Sequence, residues 1–272
     1  MKMRCNLHTH TCFCDGKDTP EQLVQTALRL GFETIGFSGH CLTEFDRSYC
    51  MDEEKTRQYR KEIARLQAAY GDQIAIFCGI EQDRYGVQPE QPYAYAIGSV
   101  HYVKRNQKYI PVDETADILK TAIQQDYQEN PYRLLEDYFR AVVEIGQQTD
   151  LVGHLDLVTK FSEQVTLFDE RAPRYRELAI AAVEKLIASG HGCFEINTGA
   201  MARGYRTMPY PAPWLLCEIQ ARGGSICITT DCHDRNQLDY GYEQTVNLAI
   251  ECGFSSQTIL TADGWKQVKI KK

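Results

Sequence analysis

The chain has 272 residues, and its 30 Lys and Arg against 37 Asp and Glu leave a net charge of −7. With 43% hydrophobic and 25% charged residues it has the composition of a globular protein, which excludes disorder as the main description, and no window reaches the ~18 uncharged apolar residues of a membrane span. The start, MKMRCNLHTHT, contains no apolar signal segment, and an acidic balance speaks against a duplex nucleic-acid binder. A soluble, cytoplasmic protein is expected. Its 11 cysteines form no CxxC pair and read as free thiols in a reducing compartment, with no disulfide framework.

No repeat or linker divides the chain, so residues 1–272 are read as a single domain. Seven short apolar or β-branched runs read as strands: Met3 to Leu7, Thr34 to Phe37, Ala75 to Ile80, Tyr95 to Val100, Asp150 to Gly153, Cys193 to Ile196 and Ser225 to Thr230. Helical segments lie between most of them. Thr19-Pro20-Glu21-Gln22 combines an N-cap, a first-turn proline and a capping-box glutamine, and opens a helix that runs to Leu30 before Gly31. Asp52 to Tyr70 places Tyr59, Ile63, Leu66 and Ala69 at helical spacing. Further helices are expected over Glu114 to Gln125, Tyr132 to Gln147, Arg174 to Ser189, Pro213 to Arg222 and Tyr242 to Glu251, and a loop over Gln82 to Tyr93. Strands alternating with helices imply parallel strands joined by right-handed crossovers. Seven such units in this length suit a closed barrel.

Each strand run ends in a residue with chemistry, and six of the seven histidines lie at or just beyond a strand's carboxyl end, where barrel enzymes build their sites. His191 precedes its strand and belongs at the opposite face. The candidate ligands are His8, His10, Asp15, His40, Glu81, His101, His154, Asp231 and His233. Imidazole with carboxylate suits divalent zinc, iron or manganese. His8 and His10 alternate with Leu7 and Thr9, so both rings turn to one side, and Asp231 and His233 repeat the device with Cys232 facing away. A single histidine is more often a core or surface residue. A gathering at one end of six strands has no such explanation. Nine ligands exceed the needs of one ion and suffice for three that share a carboxylate. Three divalent ions would outweigh Asp15, Glu81, Asp231 and a bridging hydroxide by about +2, a field that attracts a phosphate monoester.

These segments identify the chain as similar to the PHP superfamily, named for polymerase and histidinol phosphatase. The matching elements are HTHTCFCDG (8–16), FSGH (37–40), GIE (79–81), GSVHY (98–102), GHLDLV (153–158), EINTG (195–199) and TTDCH (229–233), in the family's order. Aspartate at position 15, where many members carry histidine, the GSVHY strand end, the helical insert before GHLDLV and the EINTG segment resemble the histidinol-phosphate phosphatase branch. The resemblance implies a distorted, TIM-like (β/α)7 barrel with a trinuclear centre of Zn, Fe or Mn. In that scheme His8, His10, Glu81 and Asp231 hold one ion, and Glu81 bridges to a second held by His101 and His154. Asp15, His40 and His233 hold the third.

The implied activity is hydrolysis of L-histidinol phosphate, a step of histidine biosynthesis, by attack of a metal-bridging hydroxide, with Asp231 as proton shuttle. Arg203 is expected to contact and neutralise phosphate, with Lys160 and Arg206 as further cations on the substrate. Tyr102, Phe45 and Tyr205 are candidates for the imidazole end. The expected partner is a small phosphorylated molecule, with no nucleic acid and no membrane; the oligomeric state is not legible. The alternative is a PHP-family phosphoesterase of another small phosphate ester or nucleotide.

Overall fold

The computed structural model describes residues 4–270. Its elements in chain order are β1 (Cys5–Asn6), α1 (Pro20–Arg29), β2 (Thr34–Phe37), α2 (Glu53–Tyr70), β3 (Ala75–Cys78), β4 (Ile80–Asp83), β5 (Ala96–Ser99), β6 (Tyr102–Arg105), β7 (Lys108–Pro111), α3 (Ala116–Gln125), α4 (Pro131–Gly146), β8 (Leu151–Val152), α5 (Pro173–Ala188), β9 (Cys193–Asn197), α6 (Gly199–Ala202), α7 (Pro213–Ala221), β10 (Ser225–Thr229), α8 (Tyr242–Glu251), β11 (Ser256–Thr261) and β12 (Gly264–Lys269). Met3, the expected start of the first strand, lies outside the described residues.

Parallel pairing joins β1, β2 and β3 in one sheet and β10, β9, β8, β5 and β4 in another. β3 runs into β4 across Gly79, so the two are one bent strand shared between the sheets. On the other side, Cys232 donates its amide to the His8 carbonyl at 3.1 Å, and the His10 amide donates to the Cys232 carbonyl at 2.8 Å. Pairing thus runs round a ring of seven strands, the α/β barrel expected from the alternation.

Local sequence explains the helices that brace the ring. Thr19 and Gln22 form the capping box at the start of α1, Asp52 caps α2 and Asn130 caps α4 ahead of Pro131. α1 and α2 press their apolar faces on the strands, α1 through Leu23, Val24 and Ala27 and α2 through Tyr59, Ile63 and Leu66.

Inside the ring lies a second, smaller core of Cys5, Leu7, Tyr95, Ile97, Leu151 and Cys227, sealed below by Ile259 and Leu260 of β11. Burying a side chain such as Leu7 or Leu151 contributes ~1.5–3 kcal/mol. Tyr95 fills the middle and donates its phenol to the Leu7 carbonyl. A Cβ on Gly79 would lie 2.3 Å from that ring, so glycine is required where the bent strand passes it.

Three features depart from the sequence reading. β4 continues to Asp83, where a loop was expected from Gln82, because Glu81 to Asp83 pair with Ile97 to Ser99 of β5. β6 and β7 form a hairpin whose turn residues, Asn106 and Gln107, have φ of 48° and 65°. The β11–β12 hairpin closes the barrel's amino end.

Candidate metal centre

All nine predicted ligands meet at the carboxyl end of the barrel. His8 and His10 extend β1 with one residue between them, and both rings turn inward and are buried. His40 follows β2 and pairs with Glu81 of β4 as an isolated parallel bridge. His101, His154 and the Asp231/His233 pair follow β5, β8 and β10. Asp15 folds back over the mouth from the turn after His10, 3.2 Å from His233 and 3.6 Å from His40. Cys232 points away into the outer core, and His191 lies at the amino end of β9, as expected.

Glu81 is the hub. Its Oε2 lies 3.3 Å from His8, 3.4 Å from His10 and 2.9 Å from His40, and its Oε1 lies 3.0 Å from His154 and 3.4 Å from His101. Asp231 Oδ1 lies 3.2 Å from His10 Nε2 and 3.6 Å from His8 Nε2. Four groupings bring ligand atoms together within 4.8 Å: His10, Asp15, His40 and His233; His8, His154 and Asp231; His8, His10 and Glu81; and His40, Glu81 and His101. They differ from the inferred division in three respects, the first being that His154 joins His8 and Asp231 while His101 stands apart from it. His10 joins the Asp15 set, and His40 faces Glu81 as well as Asp15.

The donors fit metal ions on a direct observation. His8 Nε2, His10 Nε2, Glu81 Oε2 and His154 Nδ1 are buried without a hydrogen-bond partner, although a buried polar atom left unpaired costs about 1–3 kcal/mol. Cation coordination supplies what these atoms lack. The electrostatics agree. Burial opposes charge throughout, yet Glu195, Glu81 and Asp231 hold the His8 imidazole well above its usual range, and Glu81 with Asp83 raises His101 to about 10. His10, buried and wedged between His233 and His40, is pushed down to about 3. Glu81 and Asp231 stay well below the carboxylate range despite burial, Glu81 through His8 and His40 and Asp231 through Arg203 and His8. The buried carboxylates stay ionised and hold positive charge on the imidazoles beside them, a negative field that a bound cation would satisfy in place of those protons.

Two supporting carboxylates escaped the sequence reading. Glu195 accepts His8 Nδ1 at 2.6 Å and the His154 amide at 2.9 Å, and Asp83 takes the His101 amide at 3.0 Å with His101 Nδ1 at 3.3 Å. Each fixes the tautomer that turns Nε2 toward Glu81. Their sequence signal is position alone: Asp83 is two residues beyond Glu81 on β4, and Glu195 opens the EINTG run.

The cluster forms the floor of a cavity of about 460 Å³. Arg203 reaches it from the turn after β9, donating to Asp231 Oδ2 at 2.9 Å and to the Asp231 carbonyl at 3.0 Å. Asp231 has a left-handed backbone, φ 48°, and a Cβ on Gly199 would lie 2.6 Å from its carboxylate, so an unusual backbone and a bare α-carbon together seat this pair. Lys160 lines the wall, its ammonium 2.6 Å from the Asp113 carbonyl. Arg206 does not reach the cavity. It is buried, its Nη1 donates to Thr159 and Ser162, and it is not among the residues that line the cavity, where the sequence reading expected a third cation. Tyr102 and Tyr205 line the cavity, whereas Phe45 stacks on Tyr109 outside it. Asp46, Asp113 and Glu114 give the rim an acidic side.

The family described as PHP domain matches residues 6–199. The chain belongs to the PHP domain family. Among curated relatives, this PHP protein is 28% identical to a probable histidinol-phosphatase of Schizosaccharomyces pombe, over 93% of this chain and 88% of the relative. It is 25% identical to a histidinol-phosphatase of Bacillus subtilis, over 87% and 96%. Among solved structures it superposes with a TM-score of 0.72 and 22% identity on a histidinol phosphate phosphatase of Lactococcus lactis complexed with zinc, L-histidinol and phosphate, over 97% of this chain and 98% of that one. A putative histidinol phosphatase of Listeria monocytogenes gives a TM-score of 0.71 at 17% identity, over 89% and 99%. These likenesses establish the barrel fold. No helix among the described residues is long and apolar enough to cross a membrane.

Proposed function

We propose that this PHP protein is a phosphomonoesterase that converts L-histidinol phosphate to L-histidinol and phosphate. The observation that carries the reading is the convergence of six histidines and three carboxylates below a cavity whose wall holds Arg203. The named activity of its relatives and the zinc, L-histidinol and phosphate in the Lactococcus structure support the same assignment. The ligand set spans His8 to His233, which supports reading residues 1–272 as a single functional domain.

His8, His10, Glu81 and Asp231, then His101 and His154, then Asp15, His40 and His233 would hold three divalent ions, zinc, iron or manganese. When bound, such ions polarise phosphoryl oxygens and make water nucleophilic near neutral pH. The chain supplies the rest. Arg203 presents a guanidinium to the equatorial oxygens, where charge grows as the ester bond breaks. Lys160 adds a second cation from the wall, its ammonium 4.6 Å from the centre of the Tyr205 ring. Asp231 touches both the ligand cluster and Arg203, the position from which a carboxylate relays a proton between attacking water and leaving alkoxide.

L-Histidinol phosphate carries an ammonium and an imidazole beyond its phosphate. Asp46, Asp113 and Glu114 match those groups in charge, with Tyr102 and Tyr205 beside them. The same acidic rim repels the backbone of a nucleic acid, so a small molecule is the partner this cavity suits.

The test is phosphate release by purified enzyme supplied with Mn²⁺, Zn²⁺ or Fe²⁺, from L-histidinol phosphate beside a panel of sugar phosphates and nucleotides. Preference for L-histidinol phosphate is expected, with activity lost to a chelator and regained on adding metal. Negligible turnover of that ester by metal-loaded enzyme, with rapid turnover of another, would transfer the assignment to a different phosphoesterase.

A further inference from the structure

Of the 11 cysteines, all free thiols, only Cys12 and Cys217 are exposed. Cys217 lies on α7, which follows β9, and Cys252 ends α8, which follows β10. The two Sγ atoms are 2.6 Å apart, about half an ångström beyond a disulfide bond of ~2.05 Å. Cys252 is buried, and its thiol also reaches the Pro213 carbonyl at 3.6 Å. Neither sulfur is near the metal cluster or the cavity wall.

We propose that Cys217 and Cys252 are a thiol pair placed to close into a disulfide when a peroxide reaches the protein, and that the bond locks the outer layer of the barrel without switching the site. Exposure makes Cys217 the sulfur that meets the oxidant first, while burial and its neighbour hold the Cys252 thiol up at about 12. The Cys217 thiolate attacks a peroxide oxygen, the O–O bond breaks, and a sulfenic acid forms while the departing hydroxide takes a proton to become water. Cys252 sulfur then attacks the sulfenic sulfur. The S–S bond forms and a second hydroxide leaves with the Cys252 proton as water, so two thiols are oxidised and one peroxide is reduced to two waters.

Because the sulfurs already touch, closing the bond displaces neither helix. Arg203, Asp231 and His233, carried by the two units that the bond ties together, keep their positions. The covalent link restricts the unfolded chain between residues 217 and 252, so the gain appears as resistance to unfolding.

The experiment exposes the reduced, metal-loaded enzyme to stoichiometric hydrogen peroxide, alkylates the remaining thiols and maps peptides without reduction. The expected result is a Cys217–Cys252 peptide pair, a melting temperature raised on the order of 5 °C, and phosphatase turnover within about twofold of the reduced enzyme. C217S should show neither the crosslink nor the shift, and its unchanged turnover would confirm that the variant folds. Recovery of Cys217 as a sulfinic acid with Cys252 alkylated, or a crosslink between two chains through Cys217, would overturn the pairing. A crosslinked enzyme that had lost its turnover would overturn the lock.

Discussion

At the amino end of the barrel, Leu7, Ile97 and Leu151 meet around Tyr95 in a buried apolar cluster. At the carboxyl end, one to four residues further along the same strands, His8, His101 and His154 meet around Glu81. The lower layer is complete in itself, since every group there is apolar or, like the Tyr95 phenol, has found a carbonyl. The upper layer keeps buried nitrogens and a carboxylate oxygen unpartnered and sets imidazoles against one another, the His10 and His233 rings stacking at 4.1 Å. One set of strands therefore separates two tasks. Substitution in the lower layer should alter stability and leave chemistry intact, and substitution in the upper layer should do the reverse.

The sharpest break of that contrast is Asp231→Asn. Asparagine tolerates the left-handed backbone at this position, so the fold should survive while a ligand charge and the Arg203 partner are lost. Activity on L-histidinol phosphate should fall by about 10³-fold or more, with bound metal measured by elemental analysis reduced alongside it. Arg203→Ala should cost about 10²-fold in kcat with metal content retained, because the guanidinium lines the cavity, is no ligand, and in the proposed function neutralises the phosphoryl oxygens. Glu195→Gln keeps the shape but weakens the hold on His8 Nδ1 and the His154 amide. Metal affinity, read by chelator competition, should drop about 10-fold. Leu151→Ala completes the series. Unfolding in denaturant should show a loss of about 2–5 kcal/mol, with kcat per folded molecule unchanged. A Leu151→Ala enzyme that kept its stability and lost its turnover would refute the separation of layers.

Much of this was legible in the sequence because each barrel strand carries its own punctuation. In six of the seven an apolar run leads into a histidine or carboxylate, and caps such as Thr19 or Asn130 start the helices. The same regularity placed all nine ligands at one mouth, since period two and strand direction leave few other places for them. What stayed hidden depends on partners rather than on pattern. The β6–β7 hairpin turns on Asn106-Gln107, and glutamine at positive φ gives no turn signal. Arg206 stands three residues from Arg203 and reads alike, yet it donates to Thr159 and Ser162 and does not line the cavity. Glu195 and Asp83 look like ordinary strand carboxylates until His8 and His101 are found beside them.

The seam where Cys232 exchanges hydrogen bonds with His8 and His10 has a consequence for how the protein matures. Asp231 and His233 are made more than 220 residues after His8, so the two groupings that need them, unlike those of Glu81 with His8 and His10 or with His40 and His101, are complete only once the last barrel strand has docked beside the first. Such long-range closure is slow. Filling of the whole ligand set is therefore tied to the closing of the circle of strands, and an ion held through Asp231 or His233 would report that closure.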